Sequence, residues 1–269
     1  MAGLRWLRQH LVLVLGILVL LYTFVPIAVV VLMSFNDPPS RNVYGFGSFT
    51  MSNWLHPCAA EGMCAAVGRS VQISLLATVV ATVLGTLAAF ALVRHDFAGR
   101  STSNLLVFLP MASPEIVMGS SLLALFVATG FGGQLGFWTI FIAHVMFCLS
   151  FVVVTVRARL AGLDDTLEQA AMDLYATPAQ TFRRVTLPLV APGILGAALL
   201  SFSLSFDDFI ITNLNAGTTV TFPMYVYGVA QRSVPMQVNV LGTIMFVISV
   251  AIVVSGEMAS RRRRRALAG

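Results

Sequence analysis

Three carboxylates stand in otherwise apolar runs of this 269-residue chain: Glu115 in SPEIVMG, and the adjacent Asp207 and Asp208 in SFSLSFDDFIITN. A charge near the centre of a bilayer costs roughly 2.5–3.5 kcal/mol on insertion scales, so acids there mark a polar pathway or a partner. Counting the rise along a helix places Glu115 near mid-depth of its run and the Asp pair in the outer half of theirs. No Arg lies within the core of any run, so a cation from outside would supply the missing partner. Three acids strung along a path suit an elongated, multiply charged amine better than one metal ion, which needs several oxygens converging on a point. The competing reading leaves them protonated, or hydrogen-bonded to Ser and Thr of nearby helices. A fourth acid, Glu257, sits at a span end within reach of headgroups.

The elements that must hold these acids are membrane spans. The chain is 58% hydrophobic and 10% charged, where a soluble domain carries about 25% charged residues. Runs of about 20 apolar residues cross the hydrocarbon core. Six are present, over 11–33, 70–93, 104–127, 136–156, 191–212 and 238–258, and the polar segments between them are too small to fold alone. The expected fold is all-α: one polytopic membrane domain spanning residues 1–269. The first run has no small-residue cleavage site close after it and reads as an uncleaved anchor.

All 16 basic residues are Arg. Arg41, Arg69 and Arg232 fall in segments of one sidedness. The others, Arg5, Arg8, Arg94, Arg100, Arg157, Arg159, Arg183, Arg184 and Arg261 through Arg265, fall in the other. Basic residues collect on the inner side, so both termini are expected in the cytoplasm, with the Arg261–Arg265 run anchoring at anionic lipid headgroups. That location argues against nucleic acid as the partner of the +5 net charge. A phosphate-binding Walker loop needs a Lys, so ATP and Mg chemistry must belong to another polypeptide. No nucleophile elbow, HExxH or paired-Cys zinc pattern is present, so no catalytic residue and no metal ligand set is expected.

The fifth run carries Ser201, Ser205, Asp208, Thr212 and Asn215 on one helical stripe, with Asp207 beside it. Pro110 and Pro114 loosen the third run. His144 in the fourth reads as a packing histidine, and Cys148 as a packing residue. Cys58 and Cys64 lie in the outer segment 34–69, where either a small disulfide loop or two thiols fits. Trp54 and the aromatics Phe222, Tyr225 and Tyr227 suit the membrane interface.

One polar island, residues 164–188, interrupts the apolar runs: DDTLEQAAMDLYATPAQTFRRVTLP. Thr166 with Gln169, and Thr177 with Gln180, have capping-box spacing, and Pro178 takes the first helical position. Pro188 and Pro192 are expected to stop the second helix. Two short helices on a membrane loop make a handle for a soluble partner.

This island resembles the coupling loop of permease subunits of binding-protein-dependent ABC importers. The family pattern is Glu-Ala-Ala, three residues, Gly, nine residues, then Ile-x-Leu-Pro. Here Gln169-Ala170-Ala171, Tyr175 and Val185-Thr186-Leu187-Pro188 keep that spacing. Gln169 replaces the usual Glu and Tyr175 the usual Gly, so the turn between the helices must adopt another conformation or bear strain. SPEIVMG, SFSLSFDDFIITN and VPMQVNVLGT look like the spermidine/putrescine branch of these permeases, and specifically its second permease subunit. The resemblance implies a type I importer fold in a bacterial inner membrane. It implies a channel shared with a sister permease, two cytoplasmic ATPase subunits carrying ATP and Mg, an extracytoplasmic binding protein and a polyamine substrate. It also implies that Trp54, Glu115, Ser205, Asp207 and Asp208 line the substrate path, and that Gln169, Ala170, Ala171, Tyr175, Leu187 and Pro188 couple to the ATPase. Trp54 would meet an amine by cation–π attraction. The alternatives are the same scaffold importing another solute such as ferric iron, a stand-alone cation channel or carrier, and an intramembrane enzyme.

Overall fold

The computed structural model describes residues 2–39, 45–164 and 166–268. Arg41 and Asp165 lie outside the described residues, as do the side chains of residues 2–9, 253, 257 and 259–268, and with them Arg5, Arg8, Glu257 and the Arg261–Arg265 run.

In chain order the helices are α1 (Ala2–Ser34), α2 (Ser52–Leu55), α3 (Met63–Arg94), α4 (Arg100–Ala112), α5 (Glu115–Ala128), α6 (Phe137–Ala161), α7 (Thr166–Asp173), α8 (Pro178–Thr181), α9 (Leu187–Asp207), α10 (Ile210–Asn215), α11 (Phe222–Ala230) and α12 (Met236–Ala268). Among the described residues, five stretches are long and apolar enough to cross a membrane: His10–Ser34, Met63–Arg94, Phe137–Ala161, Pro178–Asp207 and Met236–Gly256. The expected third span is not one straight helix. It breaks between α4 and α5 with a bend of 110°, and counts as a sixth span only if the pair is taken together. The cause is local. Pro114 has no amide to donate and forces Ser113 into an extended conformation at ψ 138°.

The expected stop at Pro188 and Pro192 does not occur. Residues 182–186 form a π-helical turn and the helix runs on from Pro178 to Asp207. Pro188 cannot donate to Arg184 and its ring crowds that carbonyl. Widening the turn just before it lets the helix absorb the defect instead of ending.

The chain divides into two compact units, residues 1–64 with 226–269, and residues 65–225. In the first, α1 packs on α12, with Phe24 and Phe246 meeting edge to face at 6.3 Å. A short antiparallel ladder pairs Asn36 with Phe49 and Asp37 with Ser48. Cys58 and Cys64 are joined by a disulfide, with Cα atoms 5.5 Å apart.

In the second unit the core lies around α6 and its neighbour α9, where Ala143, Phe147, Val152, Val156, Val190 and Ala197 are buried. Small residues let these helices approach closely, as packing in lipid requires. At Gly85 a Cβ would fall 2.7 Å from the side chain of Val152. At Gly119 it would fall 2.8 Å from Leu214 and 3.2 Å from the Ile211 Cα, which is why α10 can lie against α5.

Candidate functional site

Two helix breaks carry the acids. Glu115 opens α5 immediately after Pro114 and is exposed. Asp207 closes α9 and is exposed as well. Asp208, at φ −64° and ψ 125°, is the extended residue of the second break, and it is 8% exposed. Glu115 lies within electrostatic reach of both aspartates, and α10 packs on α5, so the two breaks belong to one region. The carbonyl end of α9 adds the negative pole of its dipole to the Asp207 carboxylate. Paired broken helices are how membrane transporters place half-helix ends at a substrate.

Asp208 has a basic partner that the sequence reading did not find. His144 Nε2 is 3.4 Å from Asp208 Oδ2 and 2.9 Å from Thr212 Oγ1, and His144 Nδ1 is 2.7 Å from Ser205 Oγ. Thr212 donates to Asp208 Oδ2 from its amide at 2.8 Å and its hydroxyl at 2.9 Å. The polar stripe Ser201, Ser205, Asp208, Thr212 and Asn215 is therefore a face buried within the chain, with Asn215 O accepting from Thr139 of α6 at 2.7 Å. It crosses the break and does not lie on one helix. His144 is 61 to 68 residues from its partners, so no local spacing announces it. The available signal was pairing by elimination: a polar stripe on one span and a lone histidine on another.

Trp54 lies in the first unit, half-buried. Its ring stacks on Phe35 with centroids 5.3 Å apart, and its indole N–H donates to Ser34 Oγ at 3.1 Å.

The polar loop forms the two expected short helices. At α8 the box closes as expected: the Thr177 amide donates to Gln180 Oε1 at 2.9 Å, the Gln180 amide to Thr177 Oγ1 at 3.4 Å, and Pro178 follows the cap. At α7 the cap lies earlier than expected. Thr166 is already helical and its amide donates to Asp164 Oδ1 at 2.9 Å. Hydrogen bonds from Thr166 hold the Asp164 carboxyl below its usual range. Tyr175 takes the left-handed conformation at φ +62°. The Tyr175 amide donates to Met172 O at 2.9 Å and the Ala176 amide to Ala171 O at 3.1 Å, which is the Schellman pattern with Tyr in the glycine position. Tyr175 is 95% exposed. Gln169, Ala170, Leu187 and Pro188 are exposed and Ala171 half-buried.

A residue outside the expected set anchors this loop. Glu168 Oε1 accepts from Arg94 at the end of α3 at 2.7 Å and from Thr186 in the π turn at 2.7 Å. Beside it opens an apolar cleft of about 390 Å³ that includes Leu87, Phe90, Met172 and Phe182.

Residues 81–265 match the family described as binding-protein-dependent transport system inner membrane component. The chain is 37% identical over 244 residues to the spermidine/putrescine transport system permease protein PotC of Haemophilus influenzae, across 90% of this chain and 93% of that protein. Against the PotC of Escherichia coli K12 it is 34% identical over 92% and 93% of the two chains. Against the putrescine transport system permease protein PotI of that strain the figures are 37%, 85% and 84%. Among solved structures, a bacterial ABC transporter that imports the acidic polysaccharide alginate superposes with a TM-score of 0.70 at 15% identity, over 97% of this chain and 99% of that one. An amino acid ABC transporter superposes at 0.57 with 14% identity, over 80% and 96%.

Proposed function

We propose that this chain, which belongs to the family of inner membrane components of binding-protein-dependent transport systems, is a permease subunit of an ATP-driven importer of polyamines such as spermidine and putrescine. The observation that carries this reading is a conjunction. Relatives named as spermidine/putrescine permeases align over nearly the whole chain, and two exposed carboxylates, Glu115 and Asp207, stand at the breaks of two spans. Ammonium groups spaced along a flexible carbon chain are suited by carboxylates spaced along a path. Trp54 is proposed to complete that path, and Ser205 and Asp208, both buried, to back its wall from within the chain.

In this reading a sister permease supplies the other half of the channel. Two ATPase subunits bind ATP and Mg on the cytoplasmic side and grip residues 164–188 through Gln169, Ala170, Ala171, Tyr175, Leu187 and Pro188. An extracytoplasmic receptor delivers the amine. Both termini face the cytoplasm, as the Arg distribution favours. Closure of the ATPase pair pushes on α7 and α8, and the spans rock to open the acid-lined path outward. Hydrolysis restores the inward-open state. Glu168, tied to both Arg94 and Thr186, would carry the push from α7 into α3 and α9.

The test is transport by the whole importer reconstituted in proteoliposomes with labelled putrescine or spermidine. Accumulation should require ATP and should be competed by excess polyamine, and not by neutral or anionic solutes of similar length. ATP-independent flux, or uptake competed equally by a neutral solute, would refute the assignment.

A further inference from the structure

Asp207 and Asp208 are chemically identical neighbours in opposite surroundings. Asp208 turns inward, and both its oxygens are engaged. Oδ2 accepts twice from Thr212, at 2.8 and 2.9 Å, and faces His144 Nε2 at 3.4 Å, while Oδ1 accepts from the Ile211 amide at 3.4 Å. The void that these groups share with Ser70, Ser205 and Thr221 has no room for a water-sized guest. An ammonium group cannot replace those partners without dismantling the first turn of α10. Asp207, one residue earlier, is exposed at the carbonyl end of α9, where a helix terminus favours a cation.

We infer that the pair divides its work: Asp207 meets the transported cation, while Asp208 is a positioning residue, locked by His144 and Thr212, that fixes the α9–α10 break and so presents Asp207. This rests on the cation path proposed above and refines it. It also gives His144 a role, as the second positioning residue, with Ser205 Oγ on its far nitrogen at 2.7 Å setting the ring's orientation.

The experiment uses the intact importer with Cys148→Ala as background and the native disulfide kept. Asp207→Cys and Asp208→Cys are each treated with a positively charged thiol reagent, with and without spermidine. The inference expects Asp207→Cys to be modified rapidly and protected by spermidine, and Asp208→Cys to be modified many-fold more slowly with no protection. Protection of both overturns the division and leaves the cation path standing. Rapid modification of Asp207→Cys with no protection removes the path, and the division with it.

A double-mutant cycle on uptake supplies the second arm, built on smaller changes should Asp208→Cys fail to assemble. His144→Ala and Asp208→Asn should overlap, the double variant being no worse than the worse single, because each breaks the same contact. His144→Ala and Asp207→Asn should overlap too, because His144 reaches the cation only by way of Asp207. His144→Gln, which keeps a donor toward Asp208, should recover part of the loss. Multiplication of the His144→Ala loss with that of Asp208→Asn, or with that of Asp207→Asn, would overturn the assignment.

Discussion

Replacing Tyr175 by glycine should make the turn between α7 and α8 open less often than replacing it by alanine. Both changes delete the same ring, which is 95% exposed and gives up little burial within the chain. They differ only in what the backbone feels at φ +62°. A residue with a Cβ pays about 1–2 kcal/mol in the left-handed region. Glycine's extra freedom in the open state returns about 0.4–1 kcal/mol of that. The difference left is about 1 kcal/mol in favour of glycine, or roughly a fivefold change in the opening equilibrium. Hydrogen exchange on the purified importer reads it directly at the amides that close the motif, Leu174, Tyr175 and Ala176, bonded to Ala170, Met172 and Ala171. Exchange should be about fivefold slower in Tyr175→Gly than in Tyr175→Ala. Equal rates would mean that the turn stores no such strain, and the argument from the family's usual glycine would fall with it.

Three other outcomes follow from particular contacts. Glu168→Gln weakens the solvent-exposed ion pair with Arg94 and the part-buried bond from Thr186; a loss of about 1 kcal/mol should loosen α7 and reduce ATPase co-purification, and undiminished co-purification would count against the anchoring role. Gly119→Ala pushes a Cβ against Leu214 and the Ile211 Cα, while Gly196→Ala meets nothing within 4 Å; the first should cost about 1–3 kcal/mol in thermal stability of the importer and the second none, and equal effects would show that α5 and α10 do not pack as described. Alkylation of the denatured, unreduced chain should tag Cys148 alone, with Cys58 and Cys64 reacting only after reduction; three tags without reductant would contradict the disulfide.

The apolar runs, the capped loop and the acids were legible because each is a local pattern: length sets a span, spacing sets a cap, and a charge in hydrocarbon stands out by its cost. The break after Ala112 was visible only as loosening, since Pro110 is accommodated inside α4 while Pro114 ends it, and the sequence does not say which proline a neighbouring helix will tolerate. Pro188 shows the same limit from the other side, its defect being absorbed by a π turn. The acids looked alike in the sequence because their difference is made at long range. Asp208 is set apart by His144, 64 positions earlier, and Glu168 by Arg94, 74 positions earlier. Cys58 and Cys64 fitted either state, because pairing depends on how the loop brings the two Cα atoms together.

The central claim is that a carboxylate exposed at a broken helix escorts a cationic guest through the membrane. Uptake of labelled spermidine at low concentration, by cells carrying the complete importer with Asp207→Asn, tests it most directly when the variant chain still co-purifies with its ATPase. The account predicts that uptake falls several-fold and recovers partly at high spermidine, because binding in the path is weakened while assembly is intact. Uptake indistinguishable from the unaltered importer at every concentration would contradict it.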